Sequence, residues 1–191
     1  MAKKVFFSFH YQDVIDFRAN VVRNHGTFKL NSKEAGFYDS SMWEKAKKES
    51  DLALKRLINN GLKNTSNTCV LIGTNTFERR WVDYEIMRSL KKGNHIFAVH
   101  INSILCKNKK TKNKGNNPLY YLGYSIDKTG KKLSLHNFIK NKWTNYEDLE
   151  GWSVDLFPEK DRNKIFRLST LYPIYDWNEQ DGYQNFKTWV Q

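Results

Sequence analysis

An apolar run, Cys69-Val70-Leu71-Ile72-Gly73, leads through a short polar turn into Phe77-Glu78-Arg79-Arg80-Trp81-Val82-Asp83-Tyr84-Glu85-Ile86-Met87-Arg88-Ser89-Leu90. The run is short and apolar without alternation, which is the pattern of a strand covered on both faces. In the segment that follows, Val82, Ile86 and Leu90 recur at helical spacing and form a face for packing on a sheet. Trp81, Tyr84, Glu85 and Arg88 form a second face by the i, i+3, i+4, i+7 rule. Strand, turn and helix in this order are the repeating unit of a parallel α/β sheet. The turn then lies at the carboxyl end of a strand, where such sheets bind ligands. An indole and a carboxylate are thereby held side by side at the mouth of a sheet.

The flanking sequence repeats this rhythm. Val5-Phe6-Phe7-Ser8-Phe9 reads as a central strand, and Asp13 as the cap of a helix running to about Asn24, with Gly26 beyond its end. A second strand is expected at either 27–30 or 36–38, with a mobile loop at 31–35. Asp39-Ser40-Ser41 opens the longest helix, with capping-box spacing between Ser41 and Glu44 and an end near Asn60-Gly61. His95-Ile96-Phe97-Ala98-Val99-His100-Ile101 is a further strand, after a helix closed by Lys91-Lys92-Gly93. The order β-α-β-α-β-α-β predicts a doubly wound sheet.

Beyond residue 101 the rhythm breaks. Residues 107–117 are rich in Lys, Asn and Gly and read as a flexible loop. Two apolar stretches flank Asp127-Lys128-Thr129-Gly130, which is a hairpin signal. The aromatic-rich stretch from about 107 to 165 is expected to be an insertion on the sheet within a single domain spanning 1–191. The last strand is expected within 165–175 and a closing helix over 178–190.

The net charge of +12 permits a polyanionic partner, and part of the excess is concentrated in 107–114. The remainder is scattered as on an ordinary solvated surface, so nucleic acid is a minor reading. Two cysteines, Cys69 and Cys106, exclude a disulfide framework and point to a reducing, cytoplasmic location. No histidine has ligand spacing, so no metal is expected. No stretch reaches membrane-spanning length, and no apolar leader opens the chain.

Taken together, Val5-Phe6-Phe7-Ser8-Phe9 with Asp13, Phe37-Tyr38-Asp39, and Trp81-x-x-x-Glu85 resemble the ordered motifs of TIR domains. The segment from Asn117-Pro118-Leu119 to Trp143, with Tyr121-Leu122-Gly123-Tyr124, is similar to the TIR-like sensor proteins of Thoeris antiphage defence systems. The resemblance implies a flavodoxin-like, mainly parallel α/β sheet. It also implies an activity: cleavage of the nicotinamide–ribose bond of NAD and release of ADP-ribose or a cyclic isomer, which would activate a separate effector. A phage-derived trigger or self-association would be the implied control. The absence of a Gly-x-Gly-x-x-Gly loop and of a P-loop suits NAD as a consumed substrate, with no bound cofactor.

That chemistry develops positive charge on a ribose ring, and a nearby carboxylate stabilises it. Glu85 is the candidate for that carboxylate. Phe6 and Trp81 are candidate stacking walls. Ser8 and Asp39 are candidate substrate contacts, with 31–35 as a lid. Each has a plainer alternative: Phe6 as core, Ser8 satisfying backbone groups, Trp81 as a packing anchor, Asp39 as a helix cap. Asp83 is expected at the surface, and Tyr84 and Arg88 at the surface or against a partner. A non-enzymatic TIR interaction module is the competing functional reading.

Overall fold

A computed structural model describes residues 4–25 and 40–191. The expected second strand at 27–30 or 36–38, the 31–35 loop and Asp39 all lie outside the described residues. Four strands, β1 (Val5–Phe9), β2 (Asn67–Ile72), β3 (His95–His100) and β9 (Ile174–Asp176), form a parallel sheet in the order β1-β2-β3-β9. Phe7 lies opposite Cys69, Cys69 opposite Phe97, and His100 opposite Asp176. β2 is buried along its whole length, as its unbroken apolar run requires.

Side-chain alternation assigns each strand two faces. Val5, Phe7, Cys69, Leu71, Phe97 and Val99 pack on one side with α2 (Arg18–Arg23) and α6 (Gly182–Trp189). On the other side Val70, Ile72, Ile96 and Ala98 meet Val82, Ile86 and Met87 of α5 (Arg80–Lys92). Lys91 and Lys92 occupy the last turn of α5, and Gly93 closes it in a left-handed conformation at φ 78°. Thr68 Oγ1 donates to Ser89 Oγ at 2.8 Å, and Ser89 Oγ donates to the Glu85 carbonyl at 2.7 Å. These two bonds fix the register of α5 on β2.

Two expected helices are each divided. The helix expected from Asp13 to Asn24 is α1 (Tyr11–Ile15) and α2, separated by Phe17 at φ 67°. Its cap residue is His10, and Asp13 lies inside α1 as a buried side chain. After the break, buried Arg18 donates to the carbonyls of Ile104 and Lys110 at 2.9 and 2.7 Å. The lysine-rich segment is therefore tied down, and it is not the free loop expected from composition. The helix expected from 39 to 61 is α3 (Ser40–Glu49) and α4 (Asp51–Leu62). Ser50, with φ −176°, breaks it and caps α4 by accepting from the Ala53 amide at 3.1 Å.

The hairpin around residues 127–130 is present as β4 (Leu122–Ile126) paired with β5 (Lys132–Ile139), turning at Gly130 with φ 77°. It belongs to a second, antiparallel sheet with β6 (Lys142–Asn145), β7 (Trp152–Ser153) and β8 (Ile165–Arg167). The expected last-strand window thus holds parts of two sheets: β8 joins the second, and only β9 joins the first. Leu119, Leu122, Ile126, Leu133 and Leu135 share one apolar cluster with α5 and the parallel sheet. The second sheet covers α5 from outside, so that helix is buried on nearly every side.

Ile86 stands at the centre of this shared core with no exposed surface. Ile86→Ala is expected to cost about 2–5 kcal/mol. Denaturant unfolding followed by fluorescence and by far-ultraviolet circular dichroism should show one coincident, shifted transition, because both sheets lose the same contact.

Candidate functional site

The carboxyl ends of the parallel strands are where the polar side chains collect. Ser8 follows the apolar residues of β1 on the face turned toward α5, and Glu85 lies one turn into α5. The two meet: Ser8 Oγ donates to a Glu85 carboxyl oxygen at 2.5 Å. Ser8 is 0% exposed and Glu85 6% exposed. Burial pushes the Glu85 carboxyl up to about 8, and the Ser8 hydroxyl opposes that rise only in part. At neutral pH the acid therefore holds its proton until some positive charge favours the ionised form.

Glu85 opens onto a cavity of about 430 Å³. α5 and the turn before it supply Trp81, Arg79 and Glu78; α3 supplies Trp43, Glu44 and Lys47; the end of β1 supplies Phe9, His10 and Tyr11. Trp81 is half-buried, with its ring edge-on to Tyr84 at 5.9 Å and the Arg80 guanidinium 4.8 Å from its centroid. Arg80 is neutralised by Asp148 and Asp51. Arg79 and Lys47 have no ion pair among the described residues, and they share the cavity wall with the carboxylates Glu44 and Glu78. Two indoles, a sequestered acid and the cations Arg79 and Lys47 suit a ligand with flat rings, a sugar and an anionic linkage.

The structure brings Glu85 and Trp81 together at this cavity, whereas Ser8, expected as a substrate contact, is fully buried and reaches the cavity only through its hydrogen bond to Glu85. Phe6 is fully buried behind it, in the cluster of Ile58, Leu62 and Tyr84 that backs Trp43 and Trp81. Among the lining residues β1 contributes Phe7 and Phe9 in place of Phe6. Three further expectations are corrected. Tyr84 is 3% exposed and packs on α4, so it is not a surface residue. Arg88 donates to Asn59 Oδ1 of α4 at 2.7 Å rather than facing outward. Asp83 is half-buried, with one carboxyl oxygen buried and unbonded among the described residues, and burial, reinforced by the negative charge of Asp148, pushes it up to about 8. All three corrections have one cause, the second sheet and α4 closing over what would otherwise be the solvent side of α5.

Trp43, Lys47, His10 and Arg79 were not singled out from the sequence. Trp43 and Lys47 lie at i and i+4 on α3 and so share a face, but nothing in their spacing says which way that face turns. Among the described residues no three His, Cys, Asp or Glu side chains come together to hold a metal ion, and no helix is long and apolar enough to cross a membrane.

Residues 6–104 match the family described as Thoeris protein ThsB, TIR-like domain. The chain is also 57% identical over 191 residues, the whole of both proteins, to ThsB1 of Bacillus cereus (strain MSX-D12), which is provisionally named a cyclic ADP-D-ribose synthase.

The raised acid sets a pH dependence of stability. Folded Glu85 binds its proton more tightly than the unfolded chain, whose value is near 4.5. The contribution is complete below that value and is lost as pH rises through about 8. Glu85→Gln removes the ionisation cost. Its melting temperature relative to the parent should rise between pH 5 and pH 9, corresponding to about 1–3 kcal/mol, as read by scanning calorimetry.

Proposed function

The chain belongs to the Thoeris ThsB TIR-like family, and from that premise we propose that it consumes NAD, breaking the nicotinamide–ribose bond and closing the ADP-ribose fragment into a cyclic signal molecule. The single observation that carries this reading is the buried Glu85 carboxyl, hydrogen-bonded by Ser8, at the floor of an aromatic-walled cavity. The provisional name of the Bacillus cereus relative, a cyclic ADP-D-ribose synthase, supports the same chemistry.

In this mechanism NAD is a substrate and no cofactor is bound. The nicotinamide ring carries a positive charge, and as it approaches the Glu85 proton passes to solvent, because a nearby cation favours the carboxylate. The Ser8 hydroxyl then donates to the ionised acid. As the bond breaks, its electron pair leaves with nicotinamide and positive charge passes to the ribose. The carboxylate faces that charge in a site with little water to screen it, where such stabilisation is strongest. Trp81 stacks against a ring of the dinucleotide, and Arg79 and Lys47 take the pyrophosphate. Phe6 acts from behind by holding the indoles in place. The product diffuses through the cytoplasm to a separate effector in antiphage defence, under control of a phage-derived trigger or self-association.

Purified protein incubated with NAD, alone and with lysate from phage-infected cells, should release nicotinamide and a cyclic ADP-ribose isomer on chromatography. Glu85→Gln should lower turnover by about 100-fold or more while the fold is kept. NAD left intact in both conditions contradicts the reading and favours an interaction module; full turnover by the variant contradicts the role given to Glu85.

A further inference from the structure

His10 lies on the wall of the same cavity, and the bond cleavage described above makes no use of it. It sits between β1 and α1, half-buried, with no hydrogen bond to its ring among the described residues. The charged groups around it come from every neighbouring element. Arg79 approaches from the turn before α5, and Lys112, itself paired with Asp16, from the 102–117 segment. Glu44 and Lys47 of α3, and Glu78, Arg80 and Glu85 of the α5 region, share the cavity. Asp13 lies three residues along its own element, with its carboxyl oxygens packed beneath Gly73. Burial, followed by the charges of Arg79 and Lys112, holds the His10 imidazole below its ordinary value of 6.5. The ring is therefore uncharged at neutral pH, and one of its nitrogens is an open acceptor.

When the attacking group is a hydroxyl, of the bound molecule or of water, its O–H must be broken as the oxygen adds to the ribose carbon that nicotinamide leaves. Glu85 is committed to the developing cation and to Ser8. We propose that His10 is the general base of the second half of the reaction, its free ring nitrogen taking the proton of the oxygen that attacks the ribose carbon. This rests on the NAD-cleaving reading of the site. The step balances without any further reagent. The carbon–nitrogen bond breaks with its electron pair on nicotinamide, which becomes neutral. An oxygen lone pair forms the new carbon–oxygen bond. The hydroxyl proton passes to His10 and from there to solvent.

The role separates two measurable events. Nicotinamide departure and return, read as exchange of isotopically labelled free nicotinamide into NAD, does not need the base. Formation of cyclic and linear ADP-ribose does. With the full-length protein, in whichever condition supports turnover, the ratio of product to exchange should fall as pH is lowered into the range, below the ordinary imidazole value, where His10 takes up a proton. Glu85 acts on both events alike, so it cancels from this ratio. His10→Gln should lower the ratio at least tenfold and make it independent of pH while exchange continues; His10→Asn, which keeps a good helix cap, serves as the second variant. An unchanged ratio and an unchanged pH profile in both variants overturn the assignment of His10. Absence of both exchange and product in the parent protein overturns the NAD-cleaving reading on which it rests.

Discussion

A buried carboxyl can be kept in a folded protein only if something receives it, and here a hydroxyl 77 positions away in sequence does so. The Ser8–Glu85 hydrogen bond joins the end of β1 to the first turns of α5 at 2.5 Å. It exists only if helix and strand dock in one register. That register is set farther along the helix, where Thr68, Ser89 and the Glu85 carbonyl form a continuous chain of hydrogen bonds. Removing a carboxyl from water without a partner costs several kcal/mol or forces it to stay protonated. The acid is therefore held in a state that a neighbouring cation can switch.

The second sheet makes this possible. In a plain doubly wound fold the outer face of a helix is wet. Here Leu119, Leu122, Leu133 and Leu135 cover the outer side of α5, and Ile58 and Leu62 of α4 cover another. The position of Glu85 is therefore set by packing on several sides of α5. The lysine-rich segment has a comparable structural use. Buried Arg18 holds it by two carbonyls, and Gly115 lies so close to the Gly73 carbonyl that a Cβ there would stand 2.0 Å away. Those cations are spread over a pinned segment, with Lys112 on Asp16 and Lys114 on Asp176, which is a different arrangement from a free polycationic arm.

Much of this was legible from residue order. The strands at 5–9, 67–72 and 95–100 are apolar runs, and such runs declare themselves. The hairpin at 127–130 has its glycine where the turn demands a positive φ. The proximity of Trp81 and Glu85 follows from helical spacing alone. Other features were hidden for identifiable reasons. Ser50 breaks a helix through one extended residue, and a serine in a small-residue stripe gives no sign of it. Tyr84, Arg88 and Asp83 were misread because their surroundings come from residues 50–60 and 119–150, contacts that local periodicity does not encode. The pairing of Ser8 with Glu85 is of the same long-range kind. Trp43, Lys47 and His10 came into view only once α3 and the β1 end were seen to face one cavity.

The state of Glu85 is the point on which cavity, helix register and chemistry converge. Its carboxyl carbon can be followed through a pH titration by carbon-13 nuclear magnetic resonance of selectively labelled protein, with Glu85→Gln identifying the signal. The account predicts a midpoint near 8, higher still in Ser8→Ala, and a marked fall when a non-cleavable NAD analogue is bound. A midpoint near the ordinary 4.5, indifferent to Ser8 and to the analogue, would contradict it.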